Sequence, residues 1–114
     1  LPPGVRQAAD TPWFYSFLTF DPGKAMRDTR QPILILQGEL DKQVAPHHAD
    51  DLAAMARDRK GDGTVEVVKV PGVNHLLVEA TTGEVAEYAS LGPDAEVAGV
   101  VTSTLTTWLT KVLK

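Results

Sequence analysis

The sequence predicts an α/β fold built on a short parallel sheet, and three observations lead there. Ile33, Leu34, Ile35 and Leu36 form an unbroken apolar run between Pro32 and Gly38. A run of strand length without alternation marks a strand covered on both faces, as parallel strands are. Val65, Val67, Val68 and Val70 form a second run that stops at Pro71-Gly72, and β-branched residues suit a pleated surface. Between the two, residues 46–59 carry an apolar stripe at helical spacing through Ala49, Leu52, Ala53, Met55 and Ala56. Strand, helix and strand in that order make a crossover unit, which is right-handed almost without exception. The expectation is parallel strands at about 32–37 and 65–70, joined by a helix at about 46–59.

The remaining elements follow in chain order. Leu1 to Asp10 holds two prolines and a glycine and starts as a loop. Thr11-Pro12 has the form of a helix start, with Thr11 as N-cap and proline at the first helical position. The segment that follows, Trp13, Phe14, Tyr15, Phe17, Leu18 and Phe20, is apolar all round, so burial is expected. It reads either as core or as the wall of an acyl or side-chain pocket, since such pockets are mainly apolar and aromatic. Asp21-Pro22 repeats the start signal for a short helix to about Arg27. Within the middle helix, Pro46 suits the first position. Asp50 and Asp51 early, with Arg57 and Arg59 late, match the helix dipole, and Gly61-Asp62-Gly63 stops it. Val73 to Gly92 lacks a period and reads as a long loop with one helical turn near Glu84 to Tyr88. From Pro93 to Leu113, Val97, Val100, Val101, Leu105, Trp108, Leu109 and Val112 recur at helical spacing. The threonines among them are poor helix formers, so this helix depends on packing.

Composition narrows the class. In 114 residues the net charge is −4 and the basic residues are scattered, which argues against nucleic acid or an anionic membrane surface as partner. No cysteine is present, so disulfides, thiolate metal sites and cysteine nucleophiles are excluded, while the compartment is left open. No apolar run approaches the ~20 residues of a membrane span. The chain starts at Leu1, nothing resembles a signal peptide, and two strands leave much of a parallel sheet uncovered. The expectation is therefore one partial domain over residues 1–114.

The chemistry lies just past the two strands. Asp41 follows the first and His75 the second, and carboxyl ends of parallel strands are where open α/β sheets place ligands. A carboxylate on one ring nitrogen fixes an imidazole's tautomer and leaves the other nitrogen free to act as general base. Two readings of Asp41 stay open at this point: a functional carboxylate at the ligand-binding edge, or only a cap of its own turn. Glu39 is the second-ranked acid. The nucleophile is missing, because none of Ser16, Ser90 and Ser103 lies in a G-x-S-x-G elbow. His47 and His48, near Asp50 and Asp51, suggest a metal site, but adjacent helical residues do not share a face. A solvated helix start is the reading adopted, so no metal and no cofactor is expected.

At these residues the chain resembles the C-terminal part of an α/β-hydrolase. In that family the catalytic acid lies in a pattern like G-x-x-D-x-x-V-P. Gly38 to Val44 matches, with Ala45 inserted before Pro46. The catalytic histidine lies in P-G-x-x-H, matched by Pro71 to His75. Pro12 to Pro22, Asn74 to Tyr88 and the Trp108-Leu109 pair are similar to bacterial esterases of the dipeptidyl aminopeptidase-like or acylaminoacyl-peptidase-like subgroup. The resemblance implies ester hydrolysis, with peptides as a further substrate class, through a Ser-His-Asp triad without metal or cofactor. Asp41 and His75 would be catalytic, Trp13, Phe14 and Phe17 would line the acyl pocket, and the serine would lie outside this chain. The partners implied are a small ester and the remainder of the hydrolase domain, with self-association in its absence. The other function class is a non-catalytic α/β domain that binds a protein through its sheet edge.

Overall fold

The computed structural model describes residues 2–61 and 63–114. Chain order is α1 (Pro3–Ala9), α2 (Pro12–Thr19), α3 (Pro22–Asp28), β1 (Ile33–Gly38), α4 (His47–Arg57), β2 (Val65–Val70), a 3-10 helix (Val85–Ser90) and α5 (Gly99–Val112). β1 and β2 pair in parallel, in register from Ile33 opposite Val65 to Gly38 opposite Val70. They are the two strands of one sheet among the described residues.

Each face of this sheet is covered by different means. α4 packs on one face and against α3, through Ala49, Ala53 and Ala56, which are at most 1% exposed. These small residues recur at i, i+4 and i+7, so one narrow stripe lets the helix approach closely. On the other face Leu36, Val68 and Val70 meet the start of α5, where Ala98 and Val101 close a small core with Val73 and Leu77. Further along, α5 stands off the sheet. Leu34, Glu66, Val68, Thr104, Trp108 and Lys111 line an open groove of about 360 Å³ there. At the far end of the crossover Arg59 is 8% exposed. Its guanidinium donates to the carbonyls of Thr29 (2.7 Å), Gln31 (2.8 Å) and Thr64 (3.3 Å), and so ties both strand entrances together.

Several expectations are corrected. Residues 3–9 are helical rather than loop: proline sits in the first turn, where it costs no hydrogen bond, and the residues after Gly4 are ordinary helix formers. The last helix begins at Gly99, six residues after Pro93. Ala98 is extended, and its N–H bonds to the Leu77 carbonyl (2.8 Å) instead of starting a helix. The middle helix ends at Arg57, so Arg59 holds carbonyls rather than the helix end. Asp62, placed in the stop signal, lies outside the described residues. Ile33 to Leu36 are half-buried rather than fully covered, because two strands and two helices supply too little cover.

The largest correction concerns α2. Trp13, Tyr15, Phe17, Leu18 and Phe20 are 64–73% exposed. The helix forms as expected, with Thr11 accepting from the Phe14 N–H at its N-cap. It packs against α1, however, and makes no substantial contact with the sheet. The radius of gyration is 17.1 Å, against about 13 Å for a compact domain of this length. Accessible surface is 8075 Å², where roughly 6,100 Å² is usual for this size.

Two outcomes follow. Arg59→Met leaves three carbonyls without their donor, and urea denaturation should register a loss of about 2 kcal/mol or more; an unchanged midpoint would show that water replaces the guanidinium. Second, the purified chain should bind a hydrophobic dye or self-associate, and a Trp13→Ser, Phe17→Ser double variant should do so distinctly less. Equal dye response from the variant would place the sticky surface elsewhere.

Candidate functional site

Because Gly38 and Val70 are partners in register, the chain leaves both strands at the same edge of the sheet. Asp41 lies three residues past one strand end and His75 five past the other. Their approach is close: His75 Nδ1 stands 2.9 Å from Asp41 Oδ2. Ionised carboxylates only accept, so Nδ1 carries the proton in this contact, and in the neutral ring Nε2 then keeps its lone pair. Glu39, the second-ranked acid, is exposed and makes no contact with His75 among the described residues; its N–H extends the ladder to the Val70 carbonyl (2.9 Å).

Close approach of the two loops requires Gly38. A Cβ there would lie 2.3 Å from the carbonyl oxygen of Val73 and 2.7 Å from that of Asn74. The histidine loop is then shaped by Asn74, which is fully buried. Its Oδ1 accepts from the N–H groups of Leu76 (2.9 Å) and Val78 (3.1 Å), and its own N–H donates to the Val78 carbonyl (3.0 Å). The turn forces Leu77 to a φ of 59°, a conformation that costs a non-glycine residue about 1 kcal/mol or more. His75 rides on the tip of this turn with its side chain 38% exposed.

Asp41 is 7% exposed. Oδ1 accepts from the N–H groups of Gln43 (2.9 Å) and Val44 (2.8 Å), and Oδ2 from Gln37 Nε2 (2.9 Å) besides facing His75. The carboxylate thus caps its own turn and also meets the imidazole. Burial pushes the Asp41 carboxyl up. The hydrogen bonds from Val44, His75, Gln43 and Gln37 outweigh it and hold the group below its ordinary 3.8.

A brace that sequence reasoning missed lies outside this pair. The Glu87 carboxylate gathers the N–H groups of Thr81 (2.7 Å), Gly83 (2.8 Å) and Thr82 (3.2 Å), which lower its pKa. Gly83, at a φ of 77°, sits so close to Leu40 that a Cβ would fall 1.8 Å from the Leu40 carbonyl oxygen. The Tyr88 hydroxyl accepts from Gln43 Nε2 (2.7 Å). Residues 81–88 therefore press on the acid loop from both sides of Asp41. The signal available was Thr82-Gly83 followed four residues on by Glu87, a turn with an acceptor placed to collect its N–H groups.

The other candidates are placed apart. Trp13, Phe14 and Phe17 cluster among themselves, with ring centroids 6.3–6.4 Å apart, on a helix that does not pack on the sheet. Ser16, Ser90 and Ser103 each donate to a carbonyl one helical turn back, on Trp13 (2.7 Å), Glu87 (2.6 Å) and Val100 (3.1 Å). His47 and His48 do come together, with ring centroids 4.2 Å apart and both near the Asp51 carboxylate, contrary to the argument from helical faces. All three are exposed. They stand at the positive end of α4, which opposes a cation.

The sign of the Asp41 shift sets a pH dependence. A carboxyl whose folded pKa is depressed stabilises the fold above its ordinary value, here 3.8, and that stability is lost as pH falls through the folded value. Asp41→Asn should be less stable than wild type at neutral pH and should lose less on acidification, read by urea denaturation. Parallel pH curves for the two proteins would contradict a carboxylate held low by its donors.

Comparison with known protein families, with curated proteins and with solved structures finds no match to this chain.

Proposed function

We propose that this chain is the acid–base half of a serine hydrolase of the α/β-hydrolase type, acting on carboxylic esters through a serine that lies outside the chain. The observation that carries the reading is the 2.9 Å contact between His75 Nδ1 and a buried Asp41 carboxylate at the C-terminal edge of two parallel strands. The chemistry follows from the tautomer. Nε2 takes the proton of the attacking hydroxyl, and Asp41 stabilises the imidazolium that forms. Nε2 then returns the proton to the leaving alkoxide. The exposed rings of Trp13 and Phe17, with the half-buried Phe14 between them, offer an apolar surface suited to the acyl side of the pocket. The partners proposed are the ester and the rest of the hydrolase domain. No described helix is long and apolar enough to cross a membrane.

A second reading, a protein-binding α/β domain, draws on the unpaired edges of the two-stranded sheet among the described residues and on the exposed α2. The two readings separate experimentally. Joined to its nucleophile-bearing segment, the hydrolase should lose on the order of 10⁴ in kcat on Asp41→Asn, the effect of that change in a serine protease triad. Near wild-type hydrolysis of a short aryl ester by that variant would remove Asp41 from catalysis. The chain alone should hydrolyse the ester no faster than its His75→Ala variant, since this reading places the serine outside the chain, and a single oxyanion donor alone is worth ~10²–10³ in rate.

A further inference from the structure

Three of the four donors to Asp41 come from its own turn or from His75; the fourth comes from the strand. Gln37 Nε2 lies 2.9 Å from Asp41 Oδ2, 3.3 Å from the Val44 carbonyl and 3.4 Å from the Gly38 carbonyl. All three neighbours are acceptors, so the amide nitrogen and not its oxygen must face them. The side chain therefore reaches both ends of the acid turn. It bonds the same carboxylate oxygen that the imidazole uses.

We propose that Gln37 is a positioning residue for the dyad, its amide holding Asp41 Oδ2 toward His75 Nδ1 from the rigid end of β1. The catalytic meaning of this role rests on the acid–base reading above; the structural coupling does not. Gln43 and Val44 fix Oδ1, but both belong to the turn that carries Asp41 and move with it. Gln37 stands on a strand paired through Gln37 opposite Lys69, so it refers the carboxylate to the sheet. Strand and turn are then locked at the orientation in which Oδ2 meets the ring. An apolar side chain of the same length would fill the space and leave that rotation free.

The test is nitrogen-15 NMR of the His75 ring in the 114-residue chain. Wild type should hold the proton on Nδ1. In Gln37→Met the ratio of Nδ1–H to Nε2–H tautomer should fall roughly tenfold or more, as for loss of a hydrogen bond to a charged group. In the Asp41→Asn background the same substitution should change nothing further. A folded Gln37→Met protein with the wild-type ratio would overturn the proposal, because a merely structural role moves stability and not the tautomer. Wild type supplies a second readout that needs no variant. The Gln37 side-chain amide protons should shift with the Asp41 titration, and an amide blind to it would equally overturn the coupling. Failure of the hydrolase reading would appear elsewhere, as indifference of the joined enzyme to Asp41→Asn.

Discussion

The Asp41 carboxylate stays ionised while 7% exposed because four groups donate to or face its two oxygens. An isolated buried carboxylate would protonate, since removal from water penalises the charged form. The surrounding structure is what places those donors. β1 carries Gln37, the turn after it folds back so that Gln43 and Val44 present their N–H groups, and the loop after β2 brings His75 to the remaining position. The parallel pairing of β1 and β2 is thus a precondition of the charge. Displacement of either strand end would take a donor away.

The loops at this edge are held more tightly than loops of their length require. Gly38 lets the histidine loop lie directly on the strand end, and Gly83 lets residues 81–83 lie directly on Leu40. Asn74 and Glu87 each collect N–H groups that would otherwise lack partners in the two approaching segments. The strained φ of Leu77 is maintained by this same set of bonds. Side-chain acceptors in irregular backbone do here what ladder hydrogen bonds do in a sheet, which is why an edge made of loops can hold an imidazole at hydrogen-bond distance from its carboxylate.

Away from that edge the molecule is thinly covered. Its core consists of alanines under α4 and a small valine and alanine cluster under α5, while Trp13, Tyr15, Phe17 and Phe20 stand outside. The distribution is the reverse of the usual one, in which large aromatics dominate burial. It accounts for the surplus of accessible surface.

Local signals in the sequence determined the strand–helix–strand unit, the caps at Thr11 and Asp21, and the positions of Asp41 and His75. Each of these is written within one or two turns of chain, in an apolar run, a capping side chain or a breaker. Parallel pairing then fixed the rest of the dyad's placement, since adjacent strands of one sense end at one edge. The packing of residues 81–88 on the acid loop, where Gln43 donates to the Tyr88 hydroxyl and Gly83 lies against Leu40, was decided only by the tertiary structure. Gln37, Gln43 and Val44 reach Asp41 from neighbouring chain, whereas Gln43 and Tyr88 have no preferred partner until distant segments come within hydrogen-bond reach. The exposure of α2 was decided there too. Its residues are apolar on every side, and a helix of that kind is buried only where a second surface arrives to cover it.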